Sequence, residues 1–146
     1  MIQQLLLSAV AVGLLTAADK PESDAVKKEM DKLQGYWEVT AAEGAGLDAD
    51  AKQLKLVFTG DKLAFSKGNK AVHEATYKVD PSQKPRTIDI THVTGPQQGK
   101  TFRGIYELEG DQLKICWSGD GEKRSTEFAV KPKTTQALLT LKRGKP

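Results

Sequence analysis

The chain has 146 residues, 28% of them charged and 38% hydrophobic, with a formal net charge of +3. That length suits one domain with one core of ordinary size, and so small an excess of charge excludes a dedicated nucleic-acid binder. Lys131, Lys133, Lys142, Arg143 and Lys145 gather near the C-terminus without interleaved aromatics to stack on bases, so they read as a solvated tail.

Residues 1–18 are expected to be a signal peptide. The stretch 2–15 is apolar and small apart from Gln3, Gln4 and Ser8, and Thr16-Ala17-Ala18 sets small residues before Asp19, which suits cleavage after Ala18. The run is short for a membrane span, and Met1-Ile2-Gln3-Gln4 carries no Lys or Arg. The expected product is an exported protein, periplasmic or secreted, with no membrane span in its mature part, residues 19–146. An uncleaved N-terminal anchor is the alternative. Cys116 is the only cysteine, so no internal disulfide can form and no lipidated cysteine follows the apolar run. Within Lys114-Ile115-Cys116-Trp117 it reads as a buried, inert thiol, because nothing local supplies a base or a lowered pKa.

Residues 19–34 carry a predicted N-terminal helix. Ser23 is its expected N-cap, with acidic residues beside the positive helix end. Val26, Met30 and Leu33 recur at i, i+4 and i+7 as one narrow apolar stripe, leaving Lys27, Lys28, Glu29, Asp31 and Lys32 to the other faces. The junction Leu33-Gln34-Gly35-Tyr36-Trp37 stops it. Gly35 offers the tolerance of positive φ that a helix end favours, and Trp37 is a large aromatic anchor, expected at the floor of a β-barrel.

From Tyr36 the period changes to two. Trp37, Val39 and Ala41 alternate with Glu38 and Thr40; after a loop at Glu43-Gly44-Ala45-Gly46, Leu54, Leu56 and Phe58 alternate with Lys55, Val57 and Thr59. Thr59-Gly60-Asp61 turns the chain into Leu63 and Phe65, and Lys67-Gly68-Asn69 turns it into His73, Ala75, Tyr77 and Val79. Beyond Asp80-Pro81 and Pro85 come Ile88, Ile90 and His92, then the turn Thr94-Gly95-Pro96-Gln97-Gln98-Gly99. Phe102, Gly104, Tyr106 and Leu108 make the sixth row and Leu113, Ile115 and Trp117 the seventh. A short piece around Phe128, ended by Pro132, precedes the eighth, Ala137, Leu139 and Leu141. Pairing Leu108 with Leu113 puts Gly104 opposite Trp117, where a missing side chain makes room for the indole.

The predicted fold is therefore all-β: an eight-stranded antiparallel up-and-down barrel over residues 35–143, with a short N-terminal helix closing one end. An even number of meander strands lets the first and last pair antiparallel, which removes the sheet edges. Trp37 must then lie beside Arg143, whose parity with Leu139 and Leu141 lets it stack on the indole as a cation–π pair.

Gly35-x-Trp37 after a short helix, eight up-and-down strands and Arg143 at the end of the last resemble the lipocalin signature. Lipocalins are small exported barrels that hold apolar ligands in the mouth, and the resemblance implies that fold. It is partial, because the helix that classical lipocalins carry after the eighth strand has no match after Lys145. A closer likeness covers nearly all of residues 19–146. Leu33-Gln34-Gly35-Tyr36-Trp37, Leu54-Lys55-Leu56-Val57-Phe58, Gly104-Ile105-Tyr106-Glu107-Leu108, Leu113-Lys114-Ile115-Cys116, Arg124-Ser125-Thr126-Glu127-Phe128 and Leu139-Thr140-Leu141-Lys142-Arg143 are similar to motifs of an uncharacterised, planctomycete-type lipocalin-like domain family. That likeness implies a barrel, often behind a signal peptide. It implies no activity and no ligand, since fold analogy does not carry function.

The inward candidates for a ligand site are Phe58, Phe65, Tyr77, Ile90, Phe102, Tyr106 and Trp117. They suit a pocket with a few polar handles and equally an ordinary filled core; Tyr77 and Tyr106 lean toward a pocket, because a buried phenol needs a partner. His73 and His92 share inward parity on consecutive strands, and the loop between Val79 and Arg86 would set them directly opposite, about 5 Å apart. That is close enough to share a metal or an anion. Two ligands do not make a metal site, however, and Cys116 has the opposing parity; a slip of two residues would also offset the pair. They read as hydrogen-bonded histidines near the rim, with no metal and no cofactor. No enzyme motif is present: no Gly-x-Ser-x-Gly, no His-Glu-x-x-His, no phosphate-cradling glycine loop. Two readings remain. One is an exported lipocalin-like binder of a small apolar or amphipathic molecule. The other is a protein-interaction or cell-envelope module with a filled barrel, working through loops 94–100 and 118–124. A mouth-connected volume near Tyr77, Tyr106 and His73 would favour the first.

Overall fold

The computed structural model describes residues 23–44, 47, 49–68 and 70–145. The expected signal peptide, residues 1–18, lies outside the described residues. Helix α1, Asp24–Leu33, starts at Ser23, whose hydroxyl accepts a hydrogen bond from the Val26 N–H at 3.2 Å and so satisfies one of the donors a helix start leaves open. Its inner face is broader than the apolar stripe. Glu29, expected among the solvated faces, is only 4% exposed, because it sits three residues after Val26 and four before Leu33 and shares their side of the helix.

Eight strands come next: β1 (Gly35–Gly44), β2 (Leu54–Thr59), β3 (Lys62–Lys67), β4 (Lys70–Asp80), β5 (Arg86–His92), β6 (Thr101–Glu109), β7 (Gln112–Ser118) and β8 (Ala137–Arg143). A short 3-10 helix, Ala49–Gln53, joins β1 to β2. Each strand pairs antiparallel with the next and β8 returns to β1, so the sheet is a closed barrel. The inward rows meet in one core that runs from Leu33 and Trp37 through Phe58, Tyr77, Ile88 and Tyr106 to Leu113 and Leu141.

Two irregularities re-aim side chains. A bulge between Val39 and Ala41 shifts the register against β8, so Ala42 packs on the core while Ala41, expected inside, is exposed. An extra residue slips the alternation by one and turns the following side chains to the other face. A second irregularity lies where Phe65 pairs with His73 and Ser66 with Ala71. The residue skipped, Val72, is left on the outside. Leu108 pairs with Leu113 and Gly104 with Trp117 as expected. A Cβ on Gly104 would stand 2.4 Å from the Cys116 carbonyl oxygen and 3.0 Å from Trp117 Cα and Cβ, so the glycine makes room for the neighbouring backbone more than for the indole.

Residues 119–136 form no strand, and the piece around Phe128 is irregular and half-buried. The segment covers part of the barrel's outer face. Cys116 lies beneath it, its thiol donating to the Ala129 carbonyl at 3.7 Å, and the Ser118 and Ser125 hydroxyls meet at 2.9 Å. Ile105, paired with Cys116 on the same face, is buried as well.

The barrel closes at the helix. Trp37 pairs with Arg143 across the β1–β8 seam, and the guanidinium carbon stands 4.1 Å from the indole centroid. Both side chains also serve the last turn of α1, whose carbonyls have no partners within the helix. Arg143 donates to the Gln34 carbonyl at 2.7 Å and to the Lys32 carbonyl at 2.8 Å, and Trp37 Nε1 donates to the Leu33 carbonyl at 2.8 Å. Gly35, at φ 109°, lets the chain turn from helix to strand between these contacts. Arg143→Ala removes the stacked cation and two charge-assisted hydrogen bonds, and is expected to lower the unfolding free energy by about 2–4 kcal/mol. Arg143→Lys keeps the charge without the two-pronged geometry and should recover less than half of that loss. Urea denaturation of the two variants beside the parent measures both values.

Candidate functional site

Antiparallel strands run alternately toward and away from α1, so every strand has a helix-end and a far-end half. The far end is open. A cavity of about 560 Å3 lies there, lined by Leu47, Leu54, Phe65, His73, Ile90, His92, Phe102 and Trp117, with Gln97, Lys100, Gly119, Asp120 and Thr135 from the connecting segments. Its size falls within the roughly 300–1,000 Å3 of small-molecule sites.

The expected site residues divide by level along the strands. Phe65, His73, Ile90, His92, Phe102 and Trp117 line the cavity. Phe58, Tyr77 and Tyr106 do not: they face inward but lie in the helix-end half, packed in the core. Phe58 meets Tyr77 edge-on at 5.0 Å. The Tyr77 hydroxyl donates to the Gly60 carbonyl at 2.7 Å and accepts from Gln34 Nε2 at 3.1 Å, while the Gly60 N–H donates to Gln34 Oε1 at 2.7 Å. This phenol is therefore satisfied at the floor and offers no handle at the mouth. Tyr106 lies with Glu29 of α1, whose carboxylate stands 3.4 Å from an Arg86 nitrogen. Burial, reinforced by Glu29, pushes the Tyr106 phenol well above its usual pKa. The volume lies near His73, as a binding site would require, but away from Tyr77 and Tyr106.

Five consecutive strands, β3 to β7, each place one aromatic ring at the mouth. Phe65 stacks on His73 at 4.3 Å with an interplanar angle of 18°, and the His73 and His92 centroids are 5.2 Å apart. His92 meets Phe102 edge-on at 4.5 Å, and Phe102 lies 6.5 Å from Trp117. The two histidines are neighbours, yet not directly opposite: His92 pairs with Ala75, and His73 is diagonal to it. The expected register is slipped by two because Asp80 stays in β4, paired with Thr87, and its carboxylate builds the turn by accepting from the Ser82 N–H at 3.0 Å and hydroxyl at 2.6 Å. Long side chains on diagonal positions still reach one another.

The pair is not hydrogen-bonded in the way expected. Among the described residues, neither ring nitrogen of His92 has a hydrogen-bond partner, and Nδ1 of His73 has none, although His92 is only 5% exposed. Buried polar atoms are normally paired. Burial, with the neighbouring His73 adding to it, brings the His92 pKa down to about 4, and burial lowers that of His73. At neutral pH both are uncharged imidazoles, able to donate at one nitrogen and accept at the other.

The turn 93–100 holds the rim beside them. The Val93 and Thr94 N–H groups donate to the Glu74 carbonyl at 2.8 and 3.2 Å, and the Thr94 hydroxyl accepts from the Glu74 N–H at 2.9 Å. Gly95, at φ 90°, lies so close to His73 that a Cβ would stand 2.9 Å from the histidine Cβ. Sequence parity does not reveal these loop contributors, nor Asp120, which accepts from the Thr101 N–H at 3.1 Å. Of the additional lining residues, Leu54 alone is marked as inward by its place in a strand row. On the outer surface, Arg124 pairs with Asp89 at 2.7 Å and donates to the Gly104 carbonyl at 2.9 Å, which ties residues 119–136 to the barrel below Trp117.

Among the described residues no group of three or more His, Cys, Asp or Glu converges on a point that could hold a metal ion. Among them, too, no helix is long and apolar enough to cross a membrane. Compared with protein families the chain matches none, and no curated protein matches it either.

The His92 shift has a signed consequence. The unfolded chain takes up a proton as pH falls through 6.5, whereas the folded chain resists until about pH 4. Stability that is complete above pH 6.5 should therefore drain away as pH falls between those values. His92→Phe removes the titrating group, so the drop in urea midpoint from pH 7 to pH 5 is expected to be clearly smaller in that variant than in the parent.

Proposed function

We propose that this protein is an exported lipocalin-like binder that takes a small apolar or amphipathic molecule into the open mouth of its barrel. The observation that carries the reading is the cavity of about 560 Å3, walled by aromatic and aliphatic side chains and opening at the end away from α1. A few polar groups in a mainly apolar concavity are the usual composition of a binding site. The likeness of its motifs to planctomycete-type lipocalin-like domains agrees with this reading, and the leader-like residues 1–18 support a periplasmic or secreted location. The other reading, an envelope module with a filled barrel, requires a packed interior, and the interior is packed only in the half beneath the helix. The proposal is binding without catalysis.

The test is titration with the hydrophobic dye 1-anilinonaphthalene-8-sulfonate. Phe102→Trp fills part of the mouth and is expected to weaken dye binding about fivefold or more, roughly 1 kcal/mol. Tyr106→Phe alters only the closed end and should leave the affinity where it was. Equal dye binding in Phe102→Trp and the parent would place the dye elsewhere and count against the cavity as the site.

A further inference from the structure

Exposure differs among the rings that line the cavity. Phe65 and His92 are buried, whereas His73, Phe102 and Trp117 are half-buried and keep part of their surface open to the cavity. His92, the last residue of β5, stands near the rim beside two rings, His73 at 5.2 Å and Phe102 at 4.5 Å, and both its nitrogens lack partners among the described residues. We infer that the ligand is a flat aromatic molecule with a neutral hydrogen-bonding group on one edge, inserted between the His73 and Phe102 rings so that this group meets His92. This rests on the binding reading above and narrows it to a ligand class.

Two arguments select that class. Aromatic rings prefer offset-stacked or edge-to-face partners at about 4.5–7 Å, and the mouth wall is a continuous run of such rings from five strands. An aliphatic chain offers these rings no aromatic face, and methylenes laid against two buried, unpartnered nitrogens forgo about tenfold in affinity for each group left unmade. The charged residues of the cavity, Lys100 and Asp120, come from the connecting segments and carry opposite signs, so they set no net charge on the part of the ligand that remains outside.

The experiment displaces 1-anilinonaphthalene-8-sulfonate from the full chain with three probes: 2-naphthol, which is flat with an edge hydroxyl; naphthalene, flat without one; and 1-decanol, a flexible chain with a hydroxyl. 2-Naphthol is expected to bind about tenfold more tightly than naphthalene and than 1-decanol. His92→Phe should bring the ratio of 2-naphthol to naphthalene near one, while His92→Gln, which keeps a donor and an acceptor, should hold an intermediate ratio; melting curves establish that both variants are folded. A parent that binds 1-decanol as tightly as 2-naphthol overturns the flat-ligand inference and leaves the binding reading standing. A ratio that survives His92→Phe overturns the role of His92. Absence of dye binding in the parent removes the binding reading itself, and this inference with it.

Discussion

A guanidinium stacked on an indole, with both groups feeding hydrogen bonds to the last carbonyls of a helix, is the contact on which this molecule depends. Arg143 and Trp37 stand on the strands that meet only when the barrel is complete, so their 4.1 Å approach reports closure directly. The same two side chains satisfy the Lys32, Leu33 and Gln34 carbonyls. Without its bond the buried Leu33 carbonyl would rest on the apolar core as an unpaired acceptor, at about 1–3 kcal/mol. Closing the sheet and seating the helix are therefore one event, and the end where it happens cannot also be a binding mouth.

That polarity organises the interior. Beneath α1 the inward side chains interlock as a core, and two of the polar groups there are tied to the floor, Tyr77 to Gln34 and Gly60 and Glu29 to Arg86, while the Tyr106 hydroxyl has no hydrogen-bond partner among the described residues. At the far end the described residues carry only the short 3-10 helix Ala49–Gln53. The rings of Phe65, His73, His92, Phe102 and Trp117 there line a cavity instead of filling it. The floor uses hydrogen bonds to hold a lid, while the mouth keeps polar nitrogens unpaired beside aromatic faces. A structure stabilised at one end can keep such groups unsatisfied at the other, because the cost is borne by contacts that do not move when a ligand enters.

Strand alternation makes much of this legible from the residues alone. The eight rows, the seam between Trp37 and Arg143 and the inward parity of every candidate ring can be read from period-two patterns and turn residues. Level along the strand cannot be read as easily, and it separates Phe102 and Trp117 at the mouth from Tyr77 and Tyr106 at the floor. The other misreadings share one cause, which is that local pattern carries no information about what arrives from far along the chain. Glu29 reads as solvated until Arg86 and Tyr106 are placed under the helix. Ala41 reads as inward until the bulge against β8 is known, and His73 reads as opposite His92 until Asp80 is seen to extend β4. Lys100, Asp120 and Thr135 reach the mouth through turns whose paths no periodicity specifies.

Hydrogen exchange of the two indole N–H groups, followed by NMR, tests the central claim most directly, that one end is sealed by the seam and the other is open. The Trp37 indole, buried and bonded to the Leu33 carbonyl at 2.8 Å, should exchange only through global unfolding, with the free energy found by denaturation. The Trp117 indole, half-buried at the mouth, should exchange orders of magnitude faster. Comparable rates for the two, or a Trp37 indole that exchanges without global unfolding, would contradict a barrel closed at the helix.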